Sequence, residues 1–365
     1  MKRKHLFLLA FVATLLLSCK PDPQPVPVDP SDTIQPLNLK GVYVLNEGNY
    51  QFSNASLSFY DPEADTVFNH LFYKANNIPI GDVAQSLSLV DNNLYIVVNN
   101  SNNIYKIDAN TQVCDLTKPY KIGDFYSPRE MHFVAPDKAY VSDLIGTNLW
   151  IINPQTMTHT GTVEMGKTTE KMVQVGNELY VSNWSYYYID ANSHDSYSTV
   201  QVVDLNNDVK VAEIEVGKEP NGLAVDKNGH VWALCEGRSW DVGYGESPSL
   251  WEIDPQLKTA TKRLEFEGTA SILKSNPSGD GLYLIYNNEV RRFDLATMSL
   301  SESFRITAEP QGWFYNIVVE PSTGELYVAD VKDYMVNGTV YRYSNDGVLL
   351  SSFVAGIIPN AMLFK

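Results

Sequence analysis

Hydrophobic positions in this chain recur in short alternating runs, about every ten residues, with Gly, Pro, Asn and Asp between them and no helix-length periodicity. That is the pattern of half-buried strands bounded by turns. One run has an aromatic second residue and returns seven times: Val42-Tyr43-Val44, Leu94-Tyr95-Ile96, Ala139-Tyr140-Val141, Leu179-Tyr180-Val181, Val231-Trp232-Ala233, Leu282-Tyr283-Leu284 and Leu326-Tyr327-Val328. A second strand follows each and ends in a turn-former: Asp61, Asp108, Asn153, Asp204, Asp254, Asp294 or Ser344. These side chains bond the backbone two residues on and start tight turns. Pro62, Pro154 and Pro255 follow directly and preset the turn dihedral.

The steps between repeats run from 40 to 52 residues, the period of propeller blades. Lys210 to Val216 reads as a third strand, Gly217 to Gly222 as a turn, and Leu223 to Asp226 as a fourth strand. One blade is therefore four strands: an inner strand a, strand b with the aromatic, strand c ending in Asp, and an outer strand d. The repeating region opens at Gly41 with a strand b and closes at Pro359 to Lys365 with a strand a that has no b after it. The expected fold is all-β, a seven-bladed β-propeller whose C-terminal strand completes the N-terminal blade. Such closure removes exposed sheet edges. The aromatics of strand b are assigned to packing between blades.

The first 40 residues have a different composition. Lys2, Arg3 and Lys4 precede the apolar Leu6 to Leu17, a run too short to span a bilayer, and Leu16-Leu17-Ser18-Cys19 follows. The expectation is a signal peptide over 1–18 and a lipid anchor on Cys19. Residues 19–40 form a Pro-rich spacer with Pro21, Pro23, Pro25, Pro27, Pro30 and Pro36, and 41–365 form the propeller. Acyl chains on one cysteine hold a soluble domain at a membrane without a spanning helix. The net charge of −16 becomes −19 once the signal is removed, which argues against nucleic acid and anionic lipid surfaces as partners. Contact with a membrane is expected only through the anchor. Cys114 and Cys235 fall in different repeats and read as free packing residues.

Blade topology sorts the loops onto two faces. The a–b turns are short and structural. The opposite face carries the b–c and d–a loops, including long b–c loops at 46–55, 183–198 and 236–249 and an intermediate one at 331–338. These loops hold Tyr50, Phe52, Trp184, Tyr186, Tyr187, Tyr188, Tyr197, Trp240, Tyr244 and Tyr334, and the d–a loops add Phe125, Tyr126, Trp313, Phe314 and Tyr315. Turn chemistry does not call for aromatics, whereas a partly wet binding surface does. Polar residues of the same face are Asn49, Asn102, Arg129, Glu130, Lys171, Asn183, Asn221, Arg238, Asp241, Asn316 and Asn360. Arg129, Lys171 and Asn221 stand where inner strands begin and are placed at the rim of the central channel. This face is the candidate ligand site.

Signals of catalysis are weak. His70, His132, His159, His194 and His230 are scattered without metal-ligand spacing, and no nucleophile elbow or phosphate-cradling glycine loop occurs. Glu130 and Glu170 are the carboxylates placed near the channel. The expectation is a binding protein with no catalytic residue, bound metal or resident cofactor.

The opening Val42-Tyr43-Val44-Leu45-Asn46-Glu47-Gly48-Asn49, the strand Leu57-Ser58-Phe59-Tyr60-Asp61 and turns such as Val216-Gly217-Lys218-Glu219-Pro220-Asn221-Gly222 resemble the YncE-like propellers of Bacteroidota over Gly41 to Lys365. Within that group the chain most resembles BtuG-type surface lipoproteins. The resemblance implies capture of vitamin B12 (cobalamin and related corrinoids) at the outer face of the outer membrane. It also implies delivery to a TonB-dependent, BtuB-like outer-membrane transporter. It carries no individual binding residue. On the residues alone, a glycan ligand suits the same aromatics, and a propeller lyase or hydrolase stands behind both.

Overall fold

The computed structural model describes residues 39–116, 119–121, 127–184, 196–238, 241 and 243–365. Seven antiparallel sheets are arranged as blades. Strands b are Val42–Asn46, Asn93–Val98, Lys138–Asp143, Glu178–Asn183, Val231–Cys235, Gly281–Tyr286 and Leu326–Asp330, numbered here as blades 1 to 7. They contain the seven aromatic runs, and each lies between its strand a and strand c. The closing strand Pro359–Phe364 pairs with Val42–Asn46 as expected.

The turn chemistry after strand c is as the sequence implies. Asp61 Oδ1 accepts from the Glu63 and Ala64 amides at 2.9 and 3.1 Å, and Asp254 Oδ1 accepts from Gln256 and Leu257 at 2.7 and 3.0 Å. Asp108, Asn153, Asp204 and Asp294 each make the same bond two residues on. Ser344 differs: its Oγ accepts from Val348, four residues on.

The hydrophobic core is divided among the seven blade interfaces. Successive side chains of a strand point to opposite faces, so each strand b serves two interfaces. Tyr43 and Leu45 pack toward Leu94 and Ile96 of blade 2, while Val42 and Val44 pack toward Tyr327 and Ala329 of blade 7. The same division runs round the ring, and every strand-b aromatic is buried against the next blade in sequence. Trp232 meets Phe293 of blade 6 at 5.6 Å, and Tyr327 meets Phe364 of blade 1 at 5.4 Å. Repeated interfaces of this kind let 325 residues form one ring without one oversized core.

Three features depart from the expected blade. Among the described residues, blade 2 has three continuous strands. Its outer position is held by single bridges from Cys114 to Ile107 and from Tyr120 to Ile104, beside Pro119, which has no N–H to donate. A short helix, Leu71–Asn76, stands between blades 1 and 2 and buries Leu71 and Phe72. The inner strand of blade 5 is Pro220–Val225, so Pro220-Asn221-Gly222 is the start of a strand and not a turn. Cys114 and Cys235 are free and buried in separate interfaces. Among the described residues, no helix is long and apolar enough to cross a membrane.

Candidate functional site

Every inner strand carries an irregularity where it enters the ring. In blade 5, Pro220 pairs with Cys235 and Gly222 with Leu234, leaving Asn221 unpaired. Corresponding extra residues are Asn360 in blade 1, Gln85 in blade 2, Ile272 in blade 6 and Tyr315 in blade 7. In blade 3, Arg129 and Glu130 fall between the Pro128 and Met131 pairings. In blade 4, Glu170 and Lys171 share one partner: the Glu170 amide donates to the Ser182 carbonyl, and the Ser182 amide donates to the Lys171 carbonyl. A bulge turns its extra side chain out of the ladder and commonly does so beside functional sites.

Here the seven bulges converge. Asn360, Gln85, Arg129, Lys171, Asn221, Ile272 and Tyr315 all line one cavity of ≈ 300 Å³ at the channel mouth. Gly222 lets two inner strands approach, since a Cβ there would lie 2.8 Å from the Cβ of Leu273. Ile272 has φ of 54°, an unusual conformation for a β-branched residue that costs on the order of 1–3 kcal/mol.

Charges alternate around the mouth. Arg129 donates to both oxygens of Glu170, at 2.7 and 2.9 Å, and to Gln85 Oε1 at 2.7 Å. Lys171 donates to Glu130 Oε1 at 2.8 Å. Burial pushes the Glu130 carboxyl up, but Lys171, Lys274 and the Met172 amide outweigh it and hold it below its usual range. Glu47 accepts from Tyr315 and Asn360 at 3.1 Å each, and its carboxyl is raised, chiefly by burial. Glu236 accepts from Asn221 Nδ2 at 3.0 Å. Burial and the nearby Glu219 and Glu170 charges raise it to about 7, against the pull of Asn221 and Trp184.

Two polar groups at the mouth are left over. Asn221 Oδ1 is buried without a hydrogen-bond partner among the described residues. Lys274 lines the cavity and makes no hydrogen bond or ion pair among the described residues. Burial and the neighbouring Lys171 depress its pKa, and Glu130 opposes them only in part.

An aromatic rim surrounds these groups. Trp184, Trp313, Phe314, Tyr315 and Tyr334 line the cavity. The Trp184 ring lies 5.7 Å from the Arg129 guanidinium, and Tyr315 meets Tyr334 edge-on at 5.9 Å. Trp313 and Tyr334 are well exposed, whereas Phe314 is buried against Tyr341 and Tyr343. Tyr50, Phe52 and Tyr244 are exposed on the loops of this face, outside the cavity wall.

The remaining expected residues sort as follows. Arg238 is buried and pairs with Asp241 at 2.9 Å, away from the cavity wall. Asn183 is fully buried and ties the loops by donating to the Thr168 carbonyl and to Gln201 Oε1. Asn49 Nδ2 donates to the Tyr334 carbonyl at 2.6 Å and so joins the b–c loops of blades 1 and 7. Phe125, Tyr126, Tyr186, Tyr187, Tyr188, His194, Trp240 and the anchor Cys19 lie outside the described residues. Reading the sequence by residue type missed Gln85, Glu47, Glu236 and Lys274. Aligning the seven inner strands on their first two residues brings out Gln85, and Lys274 stands out as a cation inside an otherwise neutral inner strand, Ala270–Ser275.

A closed seven-bladed β-propeller with its cavity at the b–c and d–a face defines the class of this protein. Residues 40–354 match the model of the domain of unknown function DUF5074, and the chain belongs to that family. No protein with a curated description matches it. Solved structures share the fold at low identity. A quinonprotein alcohol dehydrogenase-like protein from Bacteroides thetaiotaomicron superposes with a TM-score of 0.67 at 15% identity, covering 90% of this chain and 79% of its own. A functionally unknown protein from Desulfotomaculum acetoxidans gives 0.62 at 12% identity, covering 89% and 98%. Kuenenia stuttgartiensis hydrazine synthase gives 0.61 at 14% identity, covering 76% and 88%.

Proposed function

We propose that this protein is a lipid-anchored, surface-exposed capture protein of the outer membrane that binds vitamin B12 and related corrinoids. In this reading it passes the ligand to a TonB-dependent transporter and catalyses no reaction. The observation that carries the reading is the construction of the channel mouth. Seven bulges aim side chains into one cavity, and the unpaired Asn221 Oδ1 and Lys274 ammonium stand among exposed aromatics. A corrinoid is a broad ring fringed with amides, with a phosphodiester on one arm. The amide fringe would meet the polar wall, and Trp313 and Tyr334 would cover the ring, because only a part of so large a ligand enters the cavity. The scaffold is built before the ligand arrives, which lowers the ordering cost of binding.

The direct test is titration of the purified protein with cyanocobalamin by calorimetry, with retention of the red colour through desalting. Saturable binding near one to one supports capture. No heat and no retained colour at high micromolar ligand overturns it and directs attention to a glycan panel. A catalytic reading would turn on Glu236, which is poised near neutrality. It requires that cyanocobalamin or a glycan be chemically altered on incubation, and that Glu236→Gln abolish the change while leaving binding intact.

A further inference from the structure

The channel mouth holds three cations, and two are already matched. Arg129 is held bidentate by Glu170, whose side chain is 1% exposed, and Lys171 is held by Glu130 at 2.8 Å. Lys274 is different. It stands on the same wall, and the described residues give it neither a hydrogen bond nor an ion pair. It feels the loss of water and the Lys171 ammonium, which the Glu130 carboxylate, already bonded to Lys171, offsets only in part. An ammonium half-buried beside a second ammonium is unfavourable unless an anion joins it. The bulge just before it fixes its place, because Ile272 takes a left-handed conformation immediately upstream.

We propose that Lys274 is an anion-binding residue of the channel mouth and that its ammonium receives a phosphate group of the ligand. The proposal rests on the capture reading only in taking the channel mouth as the ligand site. Arg129 and Lys171 are less suited to the task, since each would have to leave a carboxylate and strand it in the cavity wall. The acidic surface keeps long-range attraction of an anion weak, so recognition is local, and it is screened less by salt than an exposed pair would be. Asn221 lines the same cavity, with its Oδ1 buried behind the wall. The wall therefore asks for an oxyanion at Lys274.

The test compares cyanocobalamin, dicyanocobinamide (which lacks the nucleotide arm and its phosphodiester) and inorganic phosphate. The proteins are wild type, Lys274→Met and Lys274→Arg. Loss of a charge-assisted contact is expected to weaken cyanocobalamin binding about 10- to 100-fold in Lys274→Met. Dicyanocobinamide binding is expected to stay unchanged, and Lys274→Arg to keep most of the affinity. Equal weakening of both corrinoids, or of neither, overturns the anion role while leaving corrinoid capture standing. If cyanocobalamin does not bind, saturable phosphate binding that is lost in Lys274→Met and kept in Lys274→Arg sustains the anion site and sinks corrinoid capture. If neither cyanocobalamin nor phosphate binds the wild type, both readings fall. Unchanged thermal melting of Lys274→Met separates loss of the contact from loss of the fold.

Discussion

Replacing Glu236 with Gln tests the electrostatics of the channel mouth directly. The carboxyl titrates near 7 in the folded protein, against 4.5 for a free side chain. Keeping it ionised in the fold therefore costs about 3 kcal/mol, and water in the open channel reduces this to about 1–3 kcal/mol. Between pH 4.5 and 7 the folded protein binds more protons than the unfolded chain. Stability therefore falls as pH rises through that window, and the full cost is present above pH 7. Glu236→Gln removes the titration. Its Oε1 can still accept from Asn221 Nδ2, so that contact is kept at every pH. The expected outcome is that Glu236→Gln melts about 2–6 °C above wild type at pH 8, with most of that difference gone at pH 4.5. Paired thermal melts at the two pH values make the measurement. An identical difference at both, or a less stable variant at pH 8, would refute the account of Glu236 as a carboxyl held against its own charge.

Other perturbations read different parts of the structure. Trp313→Ala should weaken cyanocobalamin binding by about 10- to 100-fold and shift melting little, because the indole is 47% exposed; calorimetry and a melt together decide this. Glu170→Gln removes the carboxylate that holds the Arg129 guanidinium bidentate and should lower stability by about 3–5 kcal/mol, and an unchanged melt would contradict the packing described. Gly222→Ala places a methyl 2.8 Å from the Leu273 Cβ and should cost about 1–3 kcal/mol, read by denaturant titration. Cys114, raised to about 11 by burial and the nearby Asp115, and the buried Cys235 should stay unlabelled by a thiol reagent at pH 8 until the ring is unfolded.

The blade was legible from local signals because each blade is a local object. The strand-b aromatics, the Asp61-type turns and the missing strand a at Gly41 concern residues near one another in sequence or one repeat apart. The inner strand of blade 5 was misplaced at Pro220-Asn221-Gly222 because those residues read as a turn. A bulged strand start needs the same backbone freedom, and only pairing with Cys235 and Leu234 distinguishes the two. The outer strand of blade 2 and the helix Leu71–Asn76 were likewise out of reach, because a bridge or a six-residue helix leaves no period to find.

For the site, residue type pointed to the face that carries the cavity and to Arg129, Lys171, Trp184, Asn221, Trp313, Phe314, Tyr315 and Tyr334 on its wall. It could not say which charges were already matched. Arg238 looks available in sequence, yet it is 2% exposed and paired with Asp241, while Lys274 looks like any strand lysine and has no ion-pair partner among the described residues at the mouth. Blade number, strand order and ring closure follow from hydrophobic alternation and turn chemistry, which act over a few residues. Which side chains converge on the channel, and which charges there find partners among the described residues, follow from the three-dimensional arrangement alone. Both depend on bringing together inner strands that lie up to 275 residues apart, as in the Asn360 amide reaching Gln85, and no local pattern carries that distance.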